Sequence, residues 1–297
     1  MSGDEQARSR ATQGRQLTIV IALGSVILVV EAAGGVLSGS LALLSDAGHM
    51  LTDVLALVLS LMAVRFASLP TTTRKTYGYH RLEILTALVN GTLLIVISAG
   101  LLYKAARRFF DPVPIESRLM TGIALVGLVA NLAALGILSH EHRSLNIRGA
   151  RMHIKGDALS SVGVLLAGIL ILVTGWYRVD PIVGALIAVV IVVGAVRLVR
   201  EAVDILLEAA PVGFGLDEVG TAIGTVPGVL EVHDLHIWSI TTGLLALSGH
   251  VRVDEGRHVQ ADEMLNRIKR TVRDRFGIVH TTLQIESRTY EELGDVH

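Results

Sequence analysis

Residues 41–67 read L-A-L-L-S-D-A-G-H-M-L-T-D-V-L-A-L-V-L-S-L-M-A-V-R-F-A. At 1.5 Å per residue the stretch is long enough to cross the roughly 30 Å hydrocarbon core of a bilayer, which predicts a membrane-spanning helix. Yet it contains Asp46, His49 and Asp53. Ionisable side chains at membrane depth are expensive, and they usually face a partner or a pathway. His49 and Asp53 are spaced i, i+4 and therefore share one helical face, one turn apart. Asp46 precedes His49 by about a turn; it is either a third acid on that face or, being near the span end, a helix-start or water-facing residue.

The rest of the chain repeats the apolar pattern. Of its 297 residues 51% are hydrophobic and 18% charged, with a mean hydropathy of +0.58, a membrane-protein composition. Further spans are expected at about Leu17–Gly39, Ile84–Tyr103, Leu119–Ser139, Ala158–Tyr177 and Ile182–Val199, making six helices in all. The first runs too far behind Arg8, Arg10 and Arg15 to be a cleaved leader and reads as a retained span. There are no cysteines, which excludes disulfides, thiolate nucleophiles and Cys-type zinc sites; a soft-metal site here must use His and carboxylates. No Lys/Arg run tracks a phosphate backbone, so nucleic acid is not an expected partner.

Charge divides the chain in two. Up to residue 200 there are 18 Lys and Arg against 11 Asp and Glu; beyond it there are 8 against 16. With the N-terminus inside, thirteen basic residues fall in cytoplasmic segments and five (Lys104, Arg107, Arg108, Arg118, Arg178) in outer loops, which favours cytoplasmic termini. The cluster at Lys104 to Arg108 fits that orientation worst. After Arg200 the pattern becomes α-β-β-α-β: a helix at Leu216–Gly224, strands at Val229–Ile240 and Leu245–Val253 about a Thr-Thr-Gly turn, a helix at Val259–Phe276 and a strand at Thr281–Ser287. The expected architecture is an all-α six-helix membrane domain followed by a cytoplasmic α+β, ferredoxin-like domain. Its parts are a tail at 1–16, the membrane domain at 17–207, the cytoplasmic domain at 208–290 and a tail at 291–297.

The spacing of His49 and Asp53 recurs in the fifth span as His153 and Asp157. Asp53 lies about 20 Å from the cytoplasmic end of its helix. Asp157 reaches a matching depth, about 18 Å, only if its helix begins near Leu145, with Arg148, Arg151 and Lys155 snorkelling or facing water; the longer helix is therefore expected. Two imidazoles and two carboxylates between antiparallel helices make an N2O2 set suited to Zn(II), tolerant of Co(II) or Cd(II), and poor for Mg(II) or Ca(II). The plain alternative is a local hydrogen-bonded His–Asp pair in each helix. Glu31, the odd charge of the first span, either lines the same cavity or hydrogen-bonds to Asn131, and Asn90 and Asn131 read as interhelical glue.

Four segments taken together, H-M-L-T-D (49–53), H-I-K-G-D (153–157), Y-G-Y-H-R-L-E-I-L (77–85) and H-D-L-H-I-W-S-I (233–240), resemble the cation diffusion facilitator family of metal transporters from Leu17 to Ser287. The resemblance implies a bacterial-type homodimer in the inner membrane that exports divalent metal, zinc first with cobalt, cadmium or iron as alternatives, from the cytoplasm in exchange for protons, with zinc preferred over cadmium and no organic cofactor. It also implies a cytoplasmic metal site at His233, His250, His258 and Glu286, with His236 a further candidate and zinc a regulatory ligand. Position 284 is His in some relatives and Gln here, which puts a full binuclear site in doubt. The connection between the second and third spans keeps only His80 of an extra site found in some relatives, so no stable site is expected there.

Two readings from other classes stay open at this point. One is a membrane-anchored metal sensor or scaffold, for which twinned ionisable pairs inside the bilayer would be unnecessary. The other is an intramembrane metalloenzyme, which would want a general base such as the Glu of H-E-x-x-H, absent from the spans.

Overall fold

The computed structural model describes residues 3–67, 71–137, 145–213, 215–254 and 261–290. They form two compact units, one from residues 1–61 with 89–199 and one from 62–88 with 200–297.

Six long helices run through the first two hundred residues: α1 (Gly3–Ser38), α2 (Leu41–Ala67), α3 (Arg81–Phe110), α4 (Ser117–Ile137), α5 (Leu145–Thr174) and α6 (Val179–Leu206). Among the described residues α1, α3, α4, α5 and α6 carry segments long and apolar enough to cross a membrane. Helix α5 begins at Leu145, as the matching depths of the two His–Asp pairs required. Hydropathy alone misplaces other ends. The expected N-terminal tail continues α1 as helix back to Gly3, and α3 and α6 extend past their apolar windows into charged turns, because backbone hydrogen bonding does not stop where hydrophobicity does. Arg107 and Arg108 in the last turn of α3 complement its dipole.

Within the first unit, α4 packs on α5 and α1 on α4. A buried cluster of Ala42, Leu43, Met120, Ala124, Val164, Ala167 and Ile171 joins α2, α4 and α5. The break between α1 and α2 is short: Gly39 adopts φ +72 and its carbonyl accepts the Arg108 guanidinium. Helix α2 then starts with every first-turn donor matched. Asp180, 1% exposed on the first turn of α6, accepts the Leu41 N–H at 2.8 Å, the Ala42 N–H at 3.1 Å and the Ser40 hydroxyl at 2.6 Å. The Leu43 N–H reaches Ser40 Oγ at 3.1 Å and the Leu44 N–H the Ser40 carbonyl at 3.3 Å. Ser40 is thus the N-cap and Asp180 a second cap supplied from another helix. Gly184, one turn along, permits this approach: a Cβ there would meet the Leu41 carbonyl carbon at 3.0 Å.

In the second unit, α7 (Leu216–Gly224), β1 (Val229–Thr241), β2 (Leu244–Val253), α8 (Ala261–Phe276) and β3 (His280–Ser287) follow the expected order. The sheet is mixed, with β2 central, antiparallel to β1 and parallel to β3. Met264, Ile268 and Val272 recur at i, i+4 on α8 and join Val219 and Ile223 of α7 in a core against Ile237, Leu247, Val251 and Val253. One face of the sheet is covered by this core. Three side-chain contacts join the α2–α3 connection and the start of α3 to the other parts of this unit. Arg81 pairs with Glu208 at 2.6 Å, the Thr241 hydroxyl donates to Glu83 Oε2 at 2.6 Å, and the Tyr77 and His280 rings meet edge-on at 5.4 Å.

Candidate metal centres

The first candidate centre lies between α2 and α5. His49 Nε2 is 3.5 Å from Asp157 Oδ1, so a member of each H-x-x-x-D copy meets a member of the other. Because the two helices are separate elements, this contact crosses from one copy to the other. His49 also borders a cavity of about 560 Å³, whose wall on α5 is opened by Gly156 and Gly163 and closed on α6 by Val183, Ile187 and Ile191. The side chains of Asp53 and His153 lie outside the described residues, although both positions are helical.

Two acids flank this pair. Asp46 is 3% exposed and accepts the Ser160 hydroxyl at 2.5 Å, so it is a buried interhelical acid and not the water-facing residue that its place near a span end allowed. Glu31 is 1% exposed, and neither carboxyl oxygen has a hydrogen-bond partner among the described residues. It does not bond to Asn131, as the sequence allowed; the Asn131 amide donates to Ser161 Oγ at 3.3 Å, joining α4 to α5. A Cβ at Gly127 would collide with Glu31 Oε1, so glycine on α4 makes room for the acid. Asn90 is likewise buried.

The second candidate centre lies on the open face of the small sheet. His233 on β1 pairs directly with His250 on β2, their rings 5.4 Å apart. Glu286 on β3, 2% exposed, sits beneath them with Oε2 at 3.3 Å from His233 Nε2 and Oε1 at 2.9 Å from His250 Nδ1. The three candidate ligand atoms lie within 4.8 Å of one another, a separation that a single ion could bridge. Two imidazole nitrogens and one carboxyl oxygen suit zinc. Gln284 donates its amide to Glu286 Oε1 at 3.0 Å and so holds the carboxyl group in place. His258 lies outside the described residues.

Strand alternation puts His233 and His236 on opposite faces, and here the structure corrects it. Asp234, with φ +47, marks a register shift between them, so that His233 opposes His250 and His236 opposes Ser248, two residues apart on β2. The extra residue of the bulge returns both histidines to one face. His236 Nε2 is 2.9 Å from Asp234 Oδ1, and Asp234 Oδ2 is 3.8 Å from His250 Nε2. Sequence reasoning missed Asp234 because a bulge has no signature in a period-2 pattern. It also missed Asp180, whose signal was an acid beside Pro181 at the head of the last span. His280 is engaged by Tyr77, and His80, just before α3, accepts the Glu83 N–H at its carbonyl at 3.3 Å.

Residues 17–207 match the family model of the cation efflux transmembrane domain, and residues 211–288 that of the cation efflux protein cytoplasmic domain. A cadmium, cobalt and zinc/H(+)-K(+) antiporter of Bacillus subtilis is 39% identical over 267 residues, covering 89% of this chain and 86% of that protein. The zinc transporter ZitB of Escherichia coli is 39% identical over 275 residues, covering 92% and 87%. Among solved structures, the metal-bound C-terminal domain of the CzcD transporter from Cuprividus metallidurans is 40% identical, with a TM-score of 0.23, and covers 25% of this chain and 99% of that one.

Proposed function

The chain belongs to the cation efflux family, and from that premise we propose that it is a proton-coupled exporter of Zn(II), with Co(II) or Cd(II) as lesser substrates. His49, Asp53, His153 and Asp157 form the transport site. The observation that carries this reading is the 3.5 Å approach of His49 to Asp157, which joins the two motif copies across α2 and α5. His and Asp suit an exchanger because the atoms that bind the metal also bind protons, so a proton arriving on one side competes the ion off its ligands. Asp46 and Glu31 add buried acid next to the ion. The names of the relatives, which include an antiporter and a zinc transporter, support the same reading.

The working assembly is a homodimer with both termini in the cytoplasm of a bacterial cell. Residues 17–207 form six membrane spans, and residues 208–290 form a ferredoxin-like module that binds regulatory zinc at His233, His250 and Glu286, with His258 completing the set. The test is zinc flux into proteoliposomes with and without an imposed pH gradient. A sensor or scaffold moves no zinc, whereas the exchanger moves zinc faster when protons run against it.

Selectivity follows from ligand type. His49→Asp replaces a borderline nitrogen with oxygen and is expected to lower the zinc-to-cadmium transport ratio several-fold by weakening the discrimination between the two ions. An unchanged ratio would remove His49 from the coordination sphere.

The sheet-face site has its own readout. A fragment beginning at Pro211 at 100 times its zinc dissociation constant should gain about 2.7 kcal/mol, a rise of about 10 to 20 °C in melting temperature for a domain of this size. His250→Ala with Glu286→Ala should remove that rise. A double variant that still shows all of it would make these residues structural.

A further inference from the structure

Lys104, Arg107 and Arg108 occupy the last two turns of α3, on the side of the membrane where basic residues are otherwise sparse. Their roles differ. Arg108 is spent on the Gly39 carbonyl. Lys104 and Arg107 are exposed and have no acidic partner among the described residues. With Tyr103, Arg108, Asp111 and Val113 they line a hollow of about 320 Å³, in which three cations face one acid.

The same two turns present a different surface to α6. Leu102, Ala106 and Phe109 on α3 and Ile182, Ala185 and Val189 on α6 line an apolar groove of about 420 Å³. Seven residues separate Leu102 from Phe109 and Ile182 from Val189, so the groove runs about 10 Å along both helices from their adjoining ends. Arg178 donates Nε to the Phe109 carbonyl at 3.0 Å and ties those ends together at its mouth. Tyr103 is 64% and Phe110 80% exposed, aromatic rings at the level where a membrane turns to water.

A net positive hollow beside an apolar channel matches one kind of molecule in both parts. We propose that this corner binds an anionic phospholipid, with its phosphate on Lys104 and Arg107 and an acyl chain in the groove between α3 and α6. Charge complementarity favours it over a zwitterionic lipid by about fivefold per cation, or about 25-fold for the pair. The proposal needs the membrane reading of these helices and is independent of the metal sites. It also accounts for cations on the side where the orientation rule would not put them.

The test uses the full-length chain in detergent and native mass spectrometry with added phosphatidylglycerol or phosphatidylcholine of identical chains. Wild type should retain phosphatidylglycerol about 25-fold more strongly, Lys104→Gln with Arg107→Gln should lose that preference, and Ala106→Phe, which fills the groove, should weaken both lipids. Each single Gln variant should lose about fivefold, which keeps the test decisive if the double variant misfolds. Equal retention of the two lipids by wild type, or a preference unchanged by the Gln substitutions, would overturn the proposal. So would competition by inorganic phosphate at the lipid's own concentration, which would mean an anion site without a chain site. A shift from dimer to monomer in Ala106→Phe, with lipid binding intact, would assign the groove to a second copy of this chain and overturn it equally.

Discussion

Asp157→Ala should abolish zinc uptake by proteoliposomes while the purified protein keeps its size and its melting temperature. Asp157 is 7% exposed and 3.5 Å from His49, and the variant removes one oxygen from the four-ligand site proposed above. Loss of an outer-sphere partner of a metal site costs about 10- to 100-fold, and loss of a ligand should exceed that. Little folding energy is at stake if the carboxyl group serves the proposed ion site and not the packing. Asp157→Asn keeps the shape and a neutral oxygen and should also transport poorly, which separates ligand charge from packing. Uptake above a tenth of wild type with unchanged metal dependence would move the site elsewhere.

Asp180→Ala should produce the second large effect, and through stability. The substitution strands the N–H groups of Leu41 and Ala42, which are 1% and 0% exposed. Buried donors left unsatisfied cost about 1–3 kcal/mol each, so the pair should cost about 2–6 kcal/mol. The start of α2 then loosens, and α2 carries His49, so zinc uptake should fall with the melting temperature. Asp180→Asn retains one acceptor oxygen and should be intermediate in both. An Ala variant that melts within about 2 °C of wild type would show that the cap is dispensable.

The parts legible in the sequence were those governed by periodicity. The apolar stretches located the long helices, and α2 has the same limits in both readings because Gly39 and the end of the apolar run bracket it. Matching the depths of two H-x-x-x-D pairs places the start of α5 near Leu145, where the helix begins. Contacts that depend on a single residue's backbone or on a distant partner were not legible. The bulge at Asp234 inverts the facing of the residues from His236 to Ser239, and a period-2 argument cannot detect one added residue. The role of Asp180 has no local signal because its partners are 138 to 140 positions away. Of the four residues proposed as membrane ligands, the geometry bears on His49 and Asp157; Asp53 and His153 rest on spacing.

The cap that Asp180 provides also has a bearing on how the chain is made. Ser40 and Leu41 leave the ribosome well before Asp180, 140 and 139 residues later. At about 5–20 residues per second that interval is roughly 7 to 28 s. Throughout it, the Leu41 and Ala42 N–H groups of the second helix lack the carboxyl group that accepts them in the finished fold, and only the arrival of the sixth helix supplies it. A nascent chain that stalls before the sixth helix therefore leaves the start of the second helix without the cap that Asp180 supplies in the finished fold.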